Sequence, residues 1–436
     1  MSNTSFKDKL PYLSILLCCC LMAASAIGVY TNSVGVFYSK VSADLGVGRG
    51  AFALHATLCA LTAGFLCPAA AGVIRKYPMH RLILLGSLLS GVSTVLMAFS
   101  SNIYLFYLLG ILRGIGMTMF SLMPVTTLIN NWFKEKHGLA VGIALSFSGL
   151  AGAVFSPLFG SLIETVGWRN SFIWMGVIGF ALTLPGAFFA HYSPEEIGLL
   201  AYGASGAGAS SPKGDRAGKS GKNGKSADAG SKKAEKSAAG KGSAVKEALY
   251  LPTLILLSLM TVLHTSVTGI AQHFPGMAEW MSQGAAVGAA MVSASMIGNI
   301  ISKLIIGTLS DRIGPFKASM CMILVNALAL AGLLLLGKSS AAVLYGIAFL
   351  YGTVYSVGAV GIPLLTRKLF GQKNYSRAYS IMTIFTSVGS ASALTIIGLV
   401  YDLTGGYTAA LIGGLLIDLV NFVLLIVMGK VQTKRG

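Results

Sequence analysis

The sequence predicts an all-α polytopic membrane protein of twelve transmembrane helices in two pseudo-symmetric six-helix bundles, and three observations predict it. Apolar residues make up 54% of the chain and charged ones 11%, with a mean hydropathy of +0.75, whereas about a quarter of a soluble domain's residues are charged. Twelve apolar runs approach the roughly 20 residues an α-helix needs to cross a bilayer. A stretch of Gly, Ala, Ser and Lys between Ser205 and Gly242 divides those runs six and six.

In order, the first six runs cover about 12–38, 51–72, 82–100, 103–129, 138–163 and 170–190. Lys7, Lys9 and the Ala24-Ser-Ala26 triplet mimic a secretory leader with its cleavage site, but the apolar stretch continues to Tyr38. Removing it would leave an odd number of spans, so it is read as a retained first helix. The last six runs cover 250–274, 285–308, 316–337, 340–366, 376–401 and 407–429. The expected organisation is therefore an N-terminal bundle over 1–192, a cytoplasmic linker over 193–247 and a C-terminal bundle over 248–436. The linker holds too few large apolar residues to offset its ordering entropy and is expected to be disordered.

Charge sets the orientation. Most of the 32 Lys and Arg fall in the termini, the linker and the turns at 73–81, 131–138, 309–317 and 367–377, while Lys40, Arg49, Arg169 and Lys338 alone lie in the opposite loops. The positive-inside rule puts both termini in the cytoplasm, and an inner (plasma) membrane of a bacterium is the expected location. The net charge of +18 is shared among loops and is not gathered on one folded face, which excludes a nucleic-acid-binding reading. Its basic linker is expected to touch anionic headgroups of the lipid bilayer. The six cysteines all sit in apolar runs with no CxxC pair, as packing residues do. No metal cluster, catalytic motif or cofactor signature is found. Gly218-Lys-Ser and Gly224-Lys-Ser lack the earlier glycine of a phosphate loop, which disfavours an ATP-driven pump or membrane enzyme.

The two halves repeat. Gly160-Ser-Leu-Ile-Glu164-Thr-Val-Gly167 near the end of helix 5 matches Gly398-Leu-Val-Tyr-Asp402-Leu-Thr-Gly405 near the end of helix 11. Related halves are the sequence trace of an alternating-access carrier with its site between them. Two cations lie inside spans, Arg113 in helix 4 and Lys303 in helix 8. Insertion scales put such a charge at roughly 2.5–3.5 kcal/mol, so each needs a partner, water or a ligand. Asn299 precedes Lys303 by one turn and shares its face. Tyr30 and Asn32 on helix 1, His264, Thr268 and Gln272 on helix 7, and Tyr351 and Tyr355 on helix 10 are further candidates to line the site. Against each stands a plain alternative: snorkelling for Lys303, backbone carbonyls for Arg113, helix packing for the rest. Asp418, the one acid deep in a span, is expected to be structural.

The turn Gly307-Thr-Leu-Ser-Asp311-Arg312-Ile-Gly314 resembles the loop signature of the major facilitator superfamily, and its twin after helix 2, Gly-Val-Ile-Arg75-Lys76-Tyr-Pro, is degraded. The resemblance covers the chain apart from its termini and linker, and it implies the major facilitator fold with Gly307, Asp311, Arg312 and Gly314 as a gating loop. Asn131-Trp-Phe-Lys134, Gly167-Trp-Arg169 and the Tyr401-Asp402 turn are similar to the oxalate:formate antiporter and monocarboxylate porter group. That group implies an Asn or Asp and an Arg in helix 8, where this chain has Asn299 and Lys303; a basic residue in helix 11, expected of oxalate carriers, is missing between Ala378 and Val400. The expected function is secondary active transport of small mono- or dicarboxylates by a monomer, through exchange or facilitated flux, with a proton left open as a companion ion. Efflux of amphipathic compounds is the alternative.

Overall fold

In the computed structural model, which describes residues 6–135, 137–203 and 250–433, eleven helical stretches are long and apolar enough to span a membrane. One of them, His137–Phe189, is two helices parted at Gly167, whose φ of 82° and ψ of 161° break the helical path. Twelve spans result: α1 (Leu10–Leu45), α2 (Arg49–Lys76), α3 (Met79–Met97), α4 (Ile103–Trp132), α5 and α6 (before and after Gly167), α7 (Leu251–Trp280), α8 (Ala285–Ile313), α9 (Pro315–Leu336), α10 (Ala341–Gly371), α11 (Ile381–Thr404) and α12 (Thr408–Thr433). The protein is a multi-pass integral membrane protein. Several spans outrun their apolar runs, as α8 does by continuing through Asp311 and Arg312 to Ile313.

The expected polar turn at 307–314 is corrected by the structure. Thr308 to Ile313 contain no breaker, so α8 stays helical through Ile313 and the chain turns only at Gly314, where φ is 85°. The link also starts later than expected. Residues 193–203 stay on the N-terminal bundle, with the Tyr202 amide donating to the Trp132 carbonyl at 2.8 Å and the Tyr12 hydroxyl to the Leu200 carbonyl at 2.7 Å. The Asn131-Trp132 motif pins the same segment, since their side chains donate to the Tyr192 and His191 carbonyls at 2.9 Å. The disorder expected further along the linker lies outside the described residues.

Each bundle has its own apolar core, one built largely from α1 to α6 and two from α7 to α12. Every third helix is irregular. Helix α1 changes to π-type turns at Ala24–Asn32 and 3₁₀ at Val34–Phe37, α4 loosens at 118–121, α7 is 3₁₀ at Thr268–His273, and α10 breaks at 352–353 before a π turn at Val357–Gly361. Inside a membrane such backbone is tolerated where protein or a water-filled cavity surrounds it, so these four helices mark the path between the bundles.

Glycines set how closely helices cross. A Cβ at Gly114 would lie 2.5 Å from the Cys59 carbonyl, which brings α4 against α2, and one at Gly298 would collide with the Phe349 carbonyl, which brings α8 against α10. Close backbone approach through small residues is how membrane helices associate when lipid removes the hydrophobic drive. Gly298→Ala is expected to destabilise the detergent-solubilised protein by about 1–3 kcal/mol. Gly413→Ala on α12, where a Cβ meets open space, should leave thermal unfolding unchanged or raise its midpoint, and comparing the two melting curves checks the assignment.

Candidate functional site

Three helix pairs carry most of the contact between the bundles, and each reaches the end away from the chain termini. Helix α2 runs antiparallel to α11. The Thr57 hydroxyl donates to the Ala391 carbonyl at 2.7 Å, and Gly64 lies against Ser387 about two turns further along α2. Helix α5 runs against α8, with Gly160 facing Ala289, the Ser293 hydroxyl donating to the Ala153 carbonyl at 2.6 Å, and Gly149 facing Ile300. Helix α1 meets α7 where Gly35 lies on the Gln272 carbonyl.

At that far end the seam is locked by one residue pair. Asp402 at the end of α11 accepts from the Arg49 and Gly50 amides, both at 2.9 Å, so a carboxylate of one bundle caps the first turn of α2 in the other. The flanking Gly48 and Gly50 allow this, because a Cβ at either would strike Asp402 or Leu399. The Arg49 guanidinium then crosses the seam. It donates to the Tyr407 hydroxyl at 3.0 Å and the Gly276 carbonyl at 3.3 Å, lies 3.6 Å from the Glu279 carboxylate and sits 4.1 Å above the Tyr401 ring. Ser39 of α1 completes the latch by donating to Glu279. Sequence reading saw Arg49 only as a loop charge and Asp402 only as part of a repeat and of a family motif; the signal was the acid at the end of α11 opposite a Gly-Arg-Gly start to α2.

Beneath the latch lie the candidate residues, whose depth follows from their position along each helix at about 1.5 Å per residue. Arg113 is 1% exposed, and its Nε and Nη1 have no hydrogen-bond partner. It is within Coulombic reach of Tyr30, Tyr38 and His55. Ten residues from the far end of α4, it lies about 15 Å deep. Asn32 spans the seam at a similar level, donating to the Ser148 carbonyl and touching Met296 Sδ, both at 3.3 Å. Asn299 is 4% exposed with its Oδ1 unpartnered. Lys303 is half-buried, one turn beyond Asn299 and just past the Ile300–Gly149 contact. Its position is about 27 Å from the far end of α8, roughly 12 Å below Arg113. Among the described residues no carboxylate lies within 4.0 Å of Arg113 or Lys303.

Other candidates are used within one bundle. The Tyr30 hydroxyl donates to the Gly176 carbonyl at 3.2 Å, the Tyr351 hydroxyl to the Val267 carbonyl at 2.5 Å, and His264 Nε2–H to the Val354 carbonyl at 2.9 Å. The Tyr355 hydroxyl is buried without a partner. Gly307 is helical, and Asp311 and Arg312 are exposed on the end that carries the termini. Asp418 accepts from Asn326 Nδ2 at 2.7 Å inside the C-terminal bundle, as a structural residue would. Residues that the sequence did not single out complete the buried polar set: Tyr38 Oη, His55 Nε2 and His273 Nδ1 all lack partners.

Broken helices at every third position, two pseudo-symmetric bundles and polar groups stranded between them define a membrane carrier. The sequence profile of the Major Facilitator Superfamily matches residues 16–279 and 243–435, and the chain belongs to that superfamily: it is a transporter, not an enzyme. It is 25% identical over 337 residues to monocarboxylate transporter 12 of Xenopus laevis, covering 75% of this chain and 69% of that one. A shorter alignment, 31% identical over 122 residues, covers 28% of this chain and 28% of a probable sulfoacetate transporter, SauU, of Cupriavidus necator. The match to human monocarboxylate transporter 7 is 23% identical and spans 30% of that protein's length. In structure the chain resembles a mutant of the nucleoside transporter NupG, with a TM-score of 0.70 at 11% identity over 95% of this chain and 99% of that one. A bacterial homologue of the human lysosomal transporter Spinster gives 0.70 at 12% identity over 100% and 99%. These structures share the fold.

Breaking the latch should separate the bundles at the far end. Spin labels at the exposed positions of Lys40 and Lys338, one on each bundle, are expected to show a longer-distance population in Arg49→Ala and Asp402→Asn than in the parent. An unchanged distance distribution in both variants would remove the latch from the gating scheme.

Proposed function

We propose that the chain is a secondary carrier for small organic anions, mono- or dicarboxylates, moved by alternating access in exchange or facilitated flux. The observation that carries this reading is the Arg113 guanidinium, buried at mid-depth with two nitrogens unpartnered and no carboxylate within 4.0 Å among the described residues. A buried, unpaired ion costs several kcal/mol, and a carboxylate is the ligand that offsets it. The printed names of the monocarboxylate and sulfoacetate relatives support an anionic cargo.

The depth difference assigns the two cations separate roles. Their Cα positions differ by about 12 Å in depth, with Lys303 nearer the terminal side and Arg113 nearer the latch. Lys303, a point charge on the terminal side, gathers the anion, and Arg113, a planar fork, holds it nearer the latch. Asn32 and Asn299 line the way between them. One ammonium or guanidinium contact at 4 Å is worth about 4 kcal/mol at an effective dielectric of 20, and millimolar binding needs about 4.1 kcal/mol. Arg113 with its neighbouring donors therefore suffices for a weakly held, rapidly released cargo. By the positive-inside rule the latch faces outward and the termini lie in the cytoplasm of a bacterial cell, so the latched form receives substrate from inside. Gly307, Asp311, Arg312 and Gly314 would form the opposing gate, with the protein working as a monomer.

Counterflow in proteoliposomes against a panel of short carboxylates tests the proposal. Trans-stimulation by at least one acid is expected. Arg113→Ala should lower it a hundredfold or more, as loss of a buried charge partner of about 3–5 kcal/mol implies. Lys303→Ala should raise KM several-fold while sparing the maximal rate. Absence of trans-stimulation by every acid, or full activity in both variants, would refute the anion assignment.

A further inference from the structure

The Arg49 guanidinium is rooted in one bundle and held almost entirely by the other. Its root is the first turn of α2, yet its partners sit on helix ends of the C-terminal bundle. They are the Tyr401 ring at 4.1 Å, the Tyr407 hydroxyl at 3.0 Å, the Gly276 carbonyl at 3.3 Å and the Glu279 carboxylate at 3.6 Å. Only Ser39, which accepts from Nη2 at 3.2 Å, belongs to the same bundle as Arg49.

Those C-terminal partners hold one another without Arg49. The Tyr401 and Tyr407 rings pack at 4.7 Å between centroids, Trp280 meets Tyr407 edge-on at 6.2 Å, and Tyr407 is 1% exposed. Gly276 and Glu279 lie three residues apart in the helical segment Phe274–Trp280 near the end of α7 and so share a face. A Cβ at Gly276 would stand 2.5 Å from Arg49 Nη1 and 2.8 Å from the Tyr407 hydroxyl oxygen, so the missing side chain is what leaves room for the cation. A ring face for the cation's plane, carbonyl and phenol oxygens for its N–H groups and a carboxylate for its charge are the set a guanidinium requires.

Parting of the latch empties this socket. Its side of the seam then carries two carboxylates, Glu279 and Asp402, and among the described residues no side chain of Lys or Arg other than Arg49 lies within 4.0 Å of either. Glu279 is 24% exposed even in the latched form, so the rim already meets the far-side medium.

We propose that the C-terminal face of the latch is a binding site for a guanidinium-bearing solute in the far-side medium, which takes the place of Arg49 and holds the carrier open on that side. The site accepts a cation and lies about 15 Å from the level of Arg113, so it is regulatory and separate from the path of the cargo. The inference rests on the latch and not on the anion reading. Because Arg49 fills the socket whenever the latch is closed, the affinity seen in the parent is the socket's own affinity reduced by the fraction of molecules that are unlatched.

Saturation-transfer NMR on the methyl signal of methylguanidinium, with the full chain in detergent, tests the site. Arg49→Ala, which vacates the socket and keeps the backbone amide that Asp402 caps, is expected to bind methylguanidinium about tenfold tighter than the parent or better. Adding Gly276→Ala, which fills the cradle, or Glu279→Gln, which removes the charge, should abolish that gain. Tetramethylammonium, a cation without N–H groups, should bind several-fold more weakly than methylguanidinium. In the parent carrying spin labels at positions 40 and 338, methylguanidinium should enlarge the longer-distance population where an equal concentration of sodium chloride does not. No tighter binding in Arg49→Ala, binding that survives both added substitutions, or equal binding of tetramethylammonium overturns the site. Where Arg49→Ala does not fold, the parent's distances decide: no enlargement, or the same enlargement with sodium chloride, overturns the proposal. Counterflow of carboxylates enters none of these outcomes, so the two readings stand or fall separately.

Discussion

A guanidinium enclosed by protein in the middle of a membrane, with no acid beside it, constrains nearly everything else in this molecule. Arg113 cannot snorkel from about 15 Å inside its bundle, and its Nε and Nη1 are buried without partners. The backbone around it is arranged accordingly. Gly110 and Gly114 press α4 onto the His55 and Cys59 carbonyls of α2, fixing the side chain's root, and α4 loses regular geometry one turn later at 118–121. A fixed root with an unsatisfied tip is preorganised for a ligand, since the protein does not have to reorganise when the ligand arrives.

The second constraint is that the bundles must come apart. Their seams are made of small residues, Gly50 and Gly64 against α11 and Gly149, Gly152 and Gly160 against α8, with few large interlocking side chains. Such surfaces approach closely yet release without dragging bulky groups through one another. What holds the far end shut is polar and local: Asp402 on the α2 amides and Arg49 among Tyr401, Tyr407, Gly276 and Glu279. Each charge-assisted bond contributes about 1.5–3 kcal/mol, and water replaces those partners when the gate opens. A cargo that binds the two states differently by a few kcal/mol is then enough to move the equilibrium.

How much of this was legible in the sequence depended on whether a signal was local. The spans read clearly, because a hydrocarbon core demands long apolar runs, and both cations inside spans, Arg113 and Lys303, were visible as costly residues. Tyr30, Tyr351 and His264 are chemically suitable for a site, yet each spends its polar atom on a carbonyl of its own bundle, a choice set by side-chain direction and helix crossing that composition does not encode. Residues Tyr38, His55 and His273 went unnoticed for the converse reason. They lie near the ends of spans, where aromatic and histidine side chains are ordinary interface anchors, and their isolation appears only once α1, α2 and α7 are brought together. The loop signature at 307–314 was visible as a motif, but its backbone follows from the absence of any breaker before Gly314 and is helical.

The vertical order of the polar side chains carries one more consequence. From the terminal side the sequence runs Lys303 and Asn299 of the C-terminal bundle, Asn32 and Arg113 of the N-terminal one, then His55 with Tyr38 and His273 beneath the latch. A clamp of two cations at one level would hold a diacid tightly and release it slowly. In the proposed scheme, Cα positions about 12 Å apart in depth let an anion pass from the Lys303 ammonium to the Arg113 guanidinium, each binding modestly. Because the N-terminal bundle supplies Arg113 and the C-terminal bundle supplies Lys303 and Asp402, rocking one bundle against the other changes both the spacing of the cations and the state of the gate. Substrate position and gate position are thereby coupled through rigid-body motion alone, without a long chain of side-chain rearrangements.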